Sequence, residues 1–207
     1  MFLDELEVVN SCLATMGETP LSTLEDDHSY KAAALGYLTH TNRIEQKRGW
    51  WFNSEYVELV PDADSKYIYT PLDALAVKTI QRCSPRFAQR GKRLYNVEKN
   101  NYEWDHNVWV DVVRLLPFAD LPFHAADVVG YGTVMRFHRE FDGDSTRYQQ
   151  LAADYARSRA ELTAENVRNV RPNLLATRSN AFNMGQIGGY GASQSRIPWT
   201  MGWPHNR

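Results

Sequence analysis

The chain has 207 residues, of which 43% are hydrophobic and 23% charged, and a formal net charge of −2. That mixture is ordinary for a soluble globular domain and long enough for one sizeable core or a domain with an insert. It carries no global bias toward nucleic acid or membrane, and no apolar run approaches the roughly 20 residues that a bilayer demands.

Two cysteines, Cys12 and Cys83, suit buried thiols in a reducing cytosol better than a disulfide framework. The acidic start through Asp4, Glu5 and Glu7 is unlike a signal peptide, so synthesis in a cytoplasm without export is expected.

Leu3, Leu6, Val9, Leu13 and Met16 recur at steps of three and four, the stripe of a first helix, with Gly17 as its cap and Pro20 as its stop. A second helix is expected from about Asp27 to Ser29, with Ala33, Ala34, Tyr37, Leu38, Thr41 and Ile44 on its apolar side. Lys47 and Arg48 suit a helix C-terminus, and Gly49 can take the left-handed cap conformation. The three rings that follow, Trp50, Trp51 and Phe52, are read as a strand start, with Trp50 and Phe52 on one face and Trp51 on the other. They pin a helical layer to a sheet.

From Glu55 the period changes. Residues 56–60 and 67–69, around the turn at Pro61 to Ser65, read as a hairpin. Leu75, Val77 and Ile80 suggest another strand, Leu94 to Val97 a further one, and Asn100-Asn101 a turn. Val108 to Leu116 is the strongest strand pattern, ended by Pro117. The region is an antiparallel sheet with aromatics at exposed as well as buried positions, a sign of an interface. Between its strands, Arg82, Arg86, Arg90, Lys92 and Arg93 make a basic, loop-like stretch. It reads either as a contact for phosphates or as a solvated ridge that meets an acidic neighbour.

A third helix follows Pro122, with Phe123, Ala126, Val129 and Val134 to Phe137 as its apolar set. Gly130 and Gly132 weaken its middle by about 1 kcal/mol each, which invites a kink or a close helix contact. A fourth runs from about Ser145 to Val167 through Tyr148, Leu151, Ala152, Tyr155, Arg159 and Leu162. From Asn166 onward there are five arginines and no acid or lysine, in a background of glycine, serine and asparagine that cannot bury enough surface to fold alone. Phe182, Ile187, Tyr190, Trp199 and Trp203, with Arg178 and Arg196, nonetheless supply anchors for an arm that orders on a partner. The alternative is an idle flexible tail.

The expected class is α+β: a four-helix bundle from residues 1–54 and 117–168, an inserted antiparallel β-rich region at 55–116, and an extended C-terminal arm at 169–207. Candidates for chemistry are sparse. His138, Glu140, Asp142 and Asp144 form the one dense cluster of metal-type side chains, and the solvated-turn reading competes with it. His124 and Asp127 could orient each other, and Glu55 with Glu58 could serve as paired carboxylates. No nucleophile elbow, phosphate-binding loop or dinucleotide fingerprint is present. The reading is of a protein without catalytic, metal or cofactor residues.

Three runs in order resemble one family. They are Val9-Asn10 with Leu13 to Leu24 (LATMGETPLSTL), Arg48 to Glu55 (RGWWFNSE), and Leu116 to Pro122 (LPFADLP), with Leu59 to Asp62 between. Together they are similar to tail tubular protein A, the head-to-tail adaptor of short-tailed bacteriophages, over residues 1 to about 170. The resemblance implies a virion protein of the tail neck, made in the host cytoplasm. It implies a dodecameric ring beneath the portal protein, a second interface to the tubular protein B-like nozzle, and double-stranded DNA passing through the middle during ejection, with no membrane. Two readings of other classes stay beside it: a virion-borne glycan hydrolase acting on the host surface, and a DNA-binding module built on Arg86, Arg90, Lys92 and Arg93.

Overall fold

The computed structural model describes residues 2–80 and 85–170. In chain order the elements are α1 (Glu5–Thr15), α2 (Lys31–Gln46), β1 (Ser54–Leu59), β2 (Ala74–Thr79), β3 (Phe87–Arg90), β4 (Arg93–Asn96), β5 (Val108–Arg114), a 3-10 turn (Phe118–Asp120), α3 (Phe123–Phe141) and α4 (Ser145–Val170). Helices and antiparallel sheets together make the fold α+β.

Helix α1 begins where the Asp4 carboxylate accepts from the Glu7 N–H at 2.8 Å. It ends in paired bonds around Gly17, whose φ is +71°: Gly17 N–H donates to the Ala14 carbonyl and Glu18 N–H to that of Leu13. Its buried residues are Val8, Val9, Cys12 and Leu13. Leu3 precedes the cap and is 59% exposed, so the expected stripe is displaced by one position at its start. Helix α2 starts at Lys31 with Tyr30 as its N-cap, later than the expected Asp27 to Ser29, while Asp26 closes a turn of its own by accepting from the Ser22 and Thr23 amides.

Helix α3 packs against α1, α2 and α4. The largest core cluster gathers here, with Phe2, Val8, Val9, Cys12, Leu13, Leu38, Phe118, Val129, Val134, Phe137 and Leu151. Gly130 resolves as close contact and not as a break: a Cβ there would lie 2.2 Å from the Phe2 ring, while α3 runs unbroken from 123 to 141.

The main sheet has the order β1-β5-β2, antiparallel throughout, with β5 in the centre. The expected hairpin between 56–60 and 67–69 does not form. Strand β1 pairs with β5, and Tyr67 and Tyr69 bridge to Glu103 and Arg93. The apolar face of β5, Val108, Val110 and Val112, is what buries Val57 and Leu59. The loop between instead closes on itself, with Lys66 N–H bonded to the Asp62 carbonyl and Lys66 at φ +56°. A second, two-stranded sheet, β3-β4, packs Phe87 and Leu94 against that face, with Ile68 and Trp104 filling the space between.

Candidate functional site

The junction between helices and sheet is built differently from its sequence expectation. Residues 51–53 form a turn and β1 starts at Ser54, so Trp50, Trp51 and Phe52 do not alternate across a strand. Asn53 closes the turn: its Oδ1 accepts from the Trp50 N–H at 2.8 Å, and its own N–H donates to the Trp50 carbonyl. Gly49, at φ +78°, sets the entry, and a Cβ there would meet Lys78 Nζ at 2.6 Å. All three rings therefore serve one cluster, with Trp50 buried against Ala125, Val128 and Leu162 and with Trp51 and Phe52 half-buried edge-to-face at 5.1 Å.

Behind the rings lies a buried polar network that an apolar stripe does not reveal. The second half of α2 buries Asn42, Glu45 and Gln46. Asn53 Nδ2 donates to the carbonyls of Gln46 and Arg114, and Trp50 Nε1 donates to the Glu45 carbonyl. The Glu45 carboxylate, 2% exposed, accepts from the Tyr155 hydroxyl at 2.7 Å and from Arg48 Nε at 3.1 Å, with Arg136 at 4.0 Å. Burial, and then the bond to Glu45, raise the Tyr155 phenol above its ordinary range. Such a network ties α2, α3, α4 and the sheet into one geometry.

The basic stretch is a hairpin and not a loop. Arg90 pairs with Arg93 across a two-residue turn whose first residue, Gly91, has φ +62°, as the II′ class of hairpin turns requires. Its inner face holds Phe87 and Leu94. Its outer face carries Arg90, Arg93 and Tyr95, which are same-side positions in the register. The Arg90 guanidinium lies 3.5 Å above the Tyr95 ring, and that of Arg93 lies 4.6 Å from Tyr102 and 5.4 Å from Tyr67. Arg86 and Lys92 are exposed. Arg82 and Cys83 lie outside the described residues.

The other broad exposed surface is the outer face of the main sheet. Tyr56 is 74% exposed and Trp109 50%, and the register puts both beside Glu58, Asp111 and Lys78. Exposed aromatics at sheet positions were legible in the sequence; the face they share was not, because the strand order was not.

The candidates for catalysis do not converge. Glu55 and Glu58 point to opposite faces of β1, Glu55 bound by Arg114 Nε at 2.6 Å and Glu58 by Asn107 Nδ2 at 3.1 Å. Arg114 also grips Asp73 through Nη1 at 3.0 and 2.8 Å, which holds that carboxyl below its usual range. Asp127 accepts from the Phe2 N–H at 2.7 Å, and His124 sits 4.0 Å from Glu161. His138 is fully buried, its Nε2 at 3.2 Å from the Asp144 carbonyl oxygen and its Nδ1 at 3.4 Å from Asp142 Oδ2, while Glu140 is exposed. Among the described residues no three of these side chains could share a metal ion. The Cys12 thiol is pushed up to about 12 by burial. The arm residues Arg178, Phe182, Tyr190, Arg196, Trp199 and Trp203 lie outside the described residues.

Comparison with known proteins places these surfaces in a family. The model of the Tail tubular protein family matches residues 6–172. The chain is 30% identical over 175 residues to the Tail tubular protein A of Klebsiella phage KP34, a match that covers 84% of this chain and 92% of that one.

Proposed function

Because the chain belongs to the tail tubular protein family, we propose that it is the head-to-tail adaptor of a bacteriophage virion. On this reading its four helices form, as a bundle, the wall of a ring between portal and nozzle, and the ring encloses part of the path by which DNA leaves. The outer sheet face around Tyr56 and Trp109 contacts a neighbour outside that wall, and the arm from residue 169 wraps the portal.

The observation that carries the reading is the reach of the family match, which extends from α1 to the end of α4 and so takes in every described element. The junction network supports it: a ring under internal load needs helices and sheet held in one fixed relation, and a buried, satisfied hydrogen-bond network rigidifies.

Electron cryo-microscopy of purified particles tests the proposal. Density for this chain is expected at the neck, and particles lacking it there while still infectious would refute the adaptor role. A chain truncated after Val170 should stay folded and lose portal binding; normal assembly of that form on portal would remove the arm from the mechanism.

A further inference from the structure

We infer that the outer face of the β3–β4 hairpin is a contact for the backbone phosphates of duplex DNA. The net charge of the chain hides a local excess. From Lys78 through Arg93 there are six cations, Lys78, Arg82, Arg86, Arg90, Lys92 and Arg93, and no acid lies between Asp73 and Glu98. Several cations elsewhere are paired, Arg114 with Asp73 and Glu55, Lys99 with Asp105 and Arg168 with Glu165. Among the described residues the side chains of Arg86, Arg90, Lys92 and Arg93 make no ion pair, although the Glu98 carboxylate accepts from the Arg86 backbone N–H at 3.4 Å.

Two of the four are held in place in advance. Arg90 and Arg93 lie on the rings of Tyr95, Tyr102 and Tyr67. A guanidinium stacked by its flat face keeps its N–H donors free at the edge, in the fork that suits phosphate oxygens. The stacking also tells duplex from single strand. Single-stranded DNA binds by laying bases on open aromatic faces, and here guanidinium groups already lie over the tyrosine rings. The donors left at the edges suit phosphate oxygens.

The spacing fits as well. Arg86 extends the ladder, its carbonyl accepting from the Val97 N–H at 3.1 Å. From Arg86 to Arg90 is four strand steps, about 13 Å at roughly 3.3 Å per residue. Along about 13 Å of duplex axis one strand winds more than a third of a turn, so the hairpin face meets about two of its phosphates. Four cations per copy give weak, non-specific binding, which restrains DNA while still letting it slide. This inference stands on the hairpin itself and not on the adaptor reading.

The test is fluorescence anisotropy of a labelled 30-base-pair duplex of mixed sequence with the full chain, between 50 and 200 mM salt. The double variant Arg86→Ala/Lys92→Ala removes two exposed cations whose side chains make no hydrogen bond or ion pair among the described residues. Its affinity at 50 mM salt should drop at least tenfold. Its log–log salt slope should be shallower by about 1.8, so the rise to 200 mM salt costs about twelvefold less than in wild type. A matched control on α4, Arg147→Ala/Arg157→Ala, should leave both values alone. Arg90→Lys, which keeps the charge and loses the planar stack, should hold the slope and weaken binding a few-fold. The inference is overturned if the hairpin variant binds like wild type or the α4 control loses as much. It is overturned too if a single strand binds tighter than the duplex, or if the hairpin changes shift self-association and not DNA binding.

Discussion

Gln46 and Leu116 are joined twice: the Gln46 Nε2 donates to the Leu116 carbonyl at 2.8 Å, and the Gln46 Oε1 accepts from the Leu116 N–H at 2.8 Å. A side-chain amide here takes the place of a neighbouring strand. It satisfies the backbone just past the end of β5 and ties that point to the last turn of α2. The Gln46 side chain is 1% exposed, so water cannot replace the lost bonds. Gln46→Met keeps the volume and removes both bonds, together with those to Asn42 Oδ1 and from Asn53 Nδ2. Its expected cost is about 2–3 kcal/mol, set by the buried groups left unpaired. Urea unfolding measures it, and a change under about 0.5 kcal/mol, the range of ordinary surface substitutions, would mean that the clamp does not hold the junction.

The pH dependence of stability follows from Cys12. Its ordinary value of 9.0 is raised to about 12 in the fold by burial alone. A raised value means that stability is complete below pH 9 and is lost as pH climbs toward 12, because the unfolded thiol ionises first. Three units at 1.36 kcal/mol each give a loss of about 4 kcal/mol across that window. Tyr131 and Tyr155, both raised chiefly by burial, add to the decline above pH 10. Cys12→Ala should flatten the first part of the decline, around pH 9, which precedes the main tyrosine contribution near pH 10. Urea midpoints taken at steps from pH 7 to 10.5 read it directly, and an unchanged alkaline limb would exclude the thiol as its source.

The legibility of the molecule divides along the kind of signal. Gly17 and Gly49 were readable as helix ends because both positions need positive φ, and both have it. β5 was readable because Val108, Val110 and Val112 alternate without interruption. The partner of β1 was not, because strand pairing depends on which distant face can cover Val57 and Leu59. The polar face of α2 escaped for a related reason: Asn42, Glu45 and Gln46 look like solvent-facing residues until Asn53, Leu116 and Tyr155 arrive from far along the chain. The hairpin at Arg86 to Arg93 showed its charge in the sequence; its Arg–Tyr stacking needed Tyr67 and Tyr102, which come from elsewhere in the β region.

Two helical glycines should respond to alanine with opposite signs. At Gly130 an added Cβ would fall 2.2 Å from the buried ring of Phe2, so that ring must move out of its site. Overpacking of this kind costs about 1–3 kcal/mol, more than the roughly 1 kcal/mol that alanine returns in helix propensity. At Gly36, in α2, nothing lies within 4 Å of the same atom. Gly36→Ala should therefore stabilise by about 0.5–1 kcal/mol. Thermal midpoints of the two variants should move in opposite directions. If both rise, Phe2 is not the close neighbour that makes Gly130 necessary.

Asn166 links the junction to the last turns of α4. Its Oδ1 accepts from the Trp51 N–H at 3.0 Å, one turn beyond Leu162, which is buried against Trp50. Past it, the helix relies on its own side chains: Glu165 accepts from Asn169 and Arg168, which hold its carboxyl below the usual range. Exposed pairs of this kind add little, so the Trp51–Asn166 bond is the tertiary tie for the helix end. Asn166→Ala should cost about 1 kcal/mol locally, an increase of about fivefold in exchange of the Trp51 amide. Amides of residues 163–170 should also exchange faster, while those of the α3 core keep their protection, because the opening is local and not global. Hydrogen exchange read by NMR separates the two regions. Unchanged exchange at Trp51 would show that Leu162 alone fixes the end of α4.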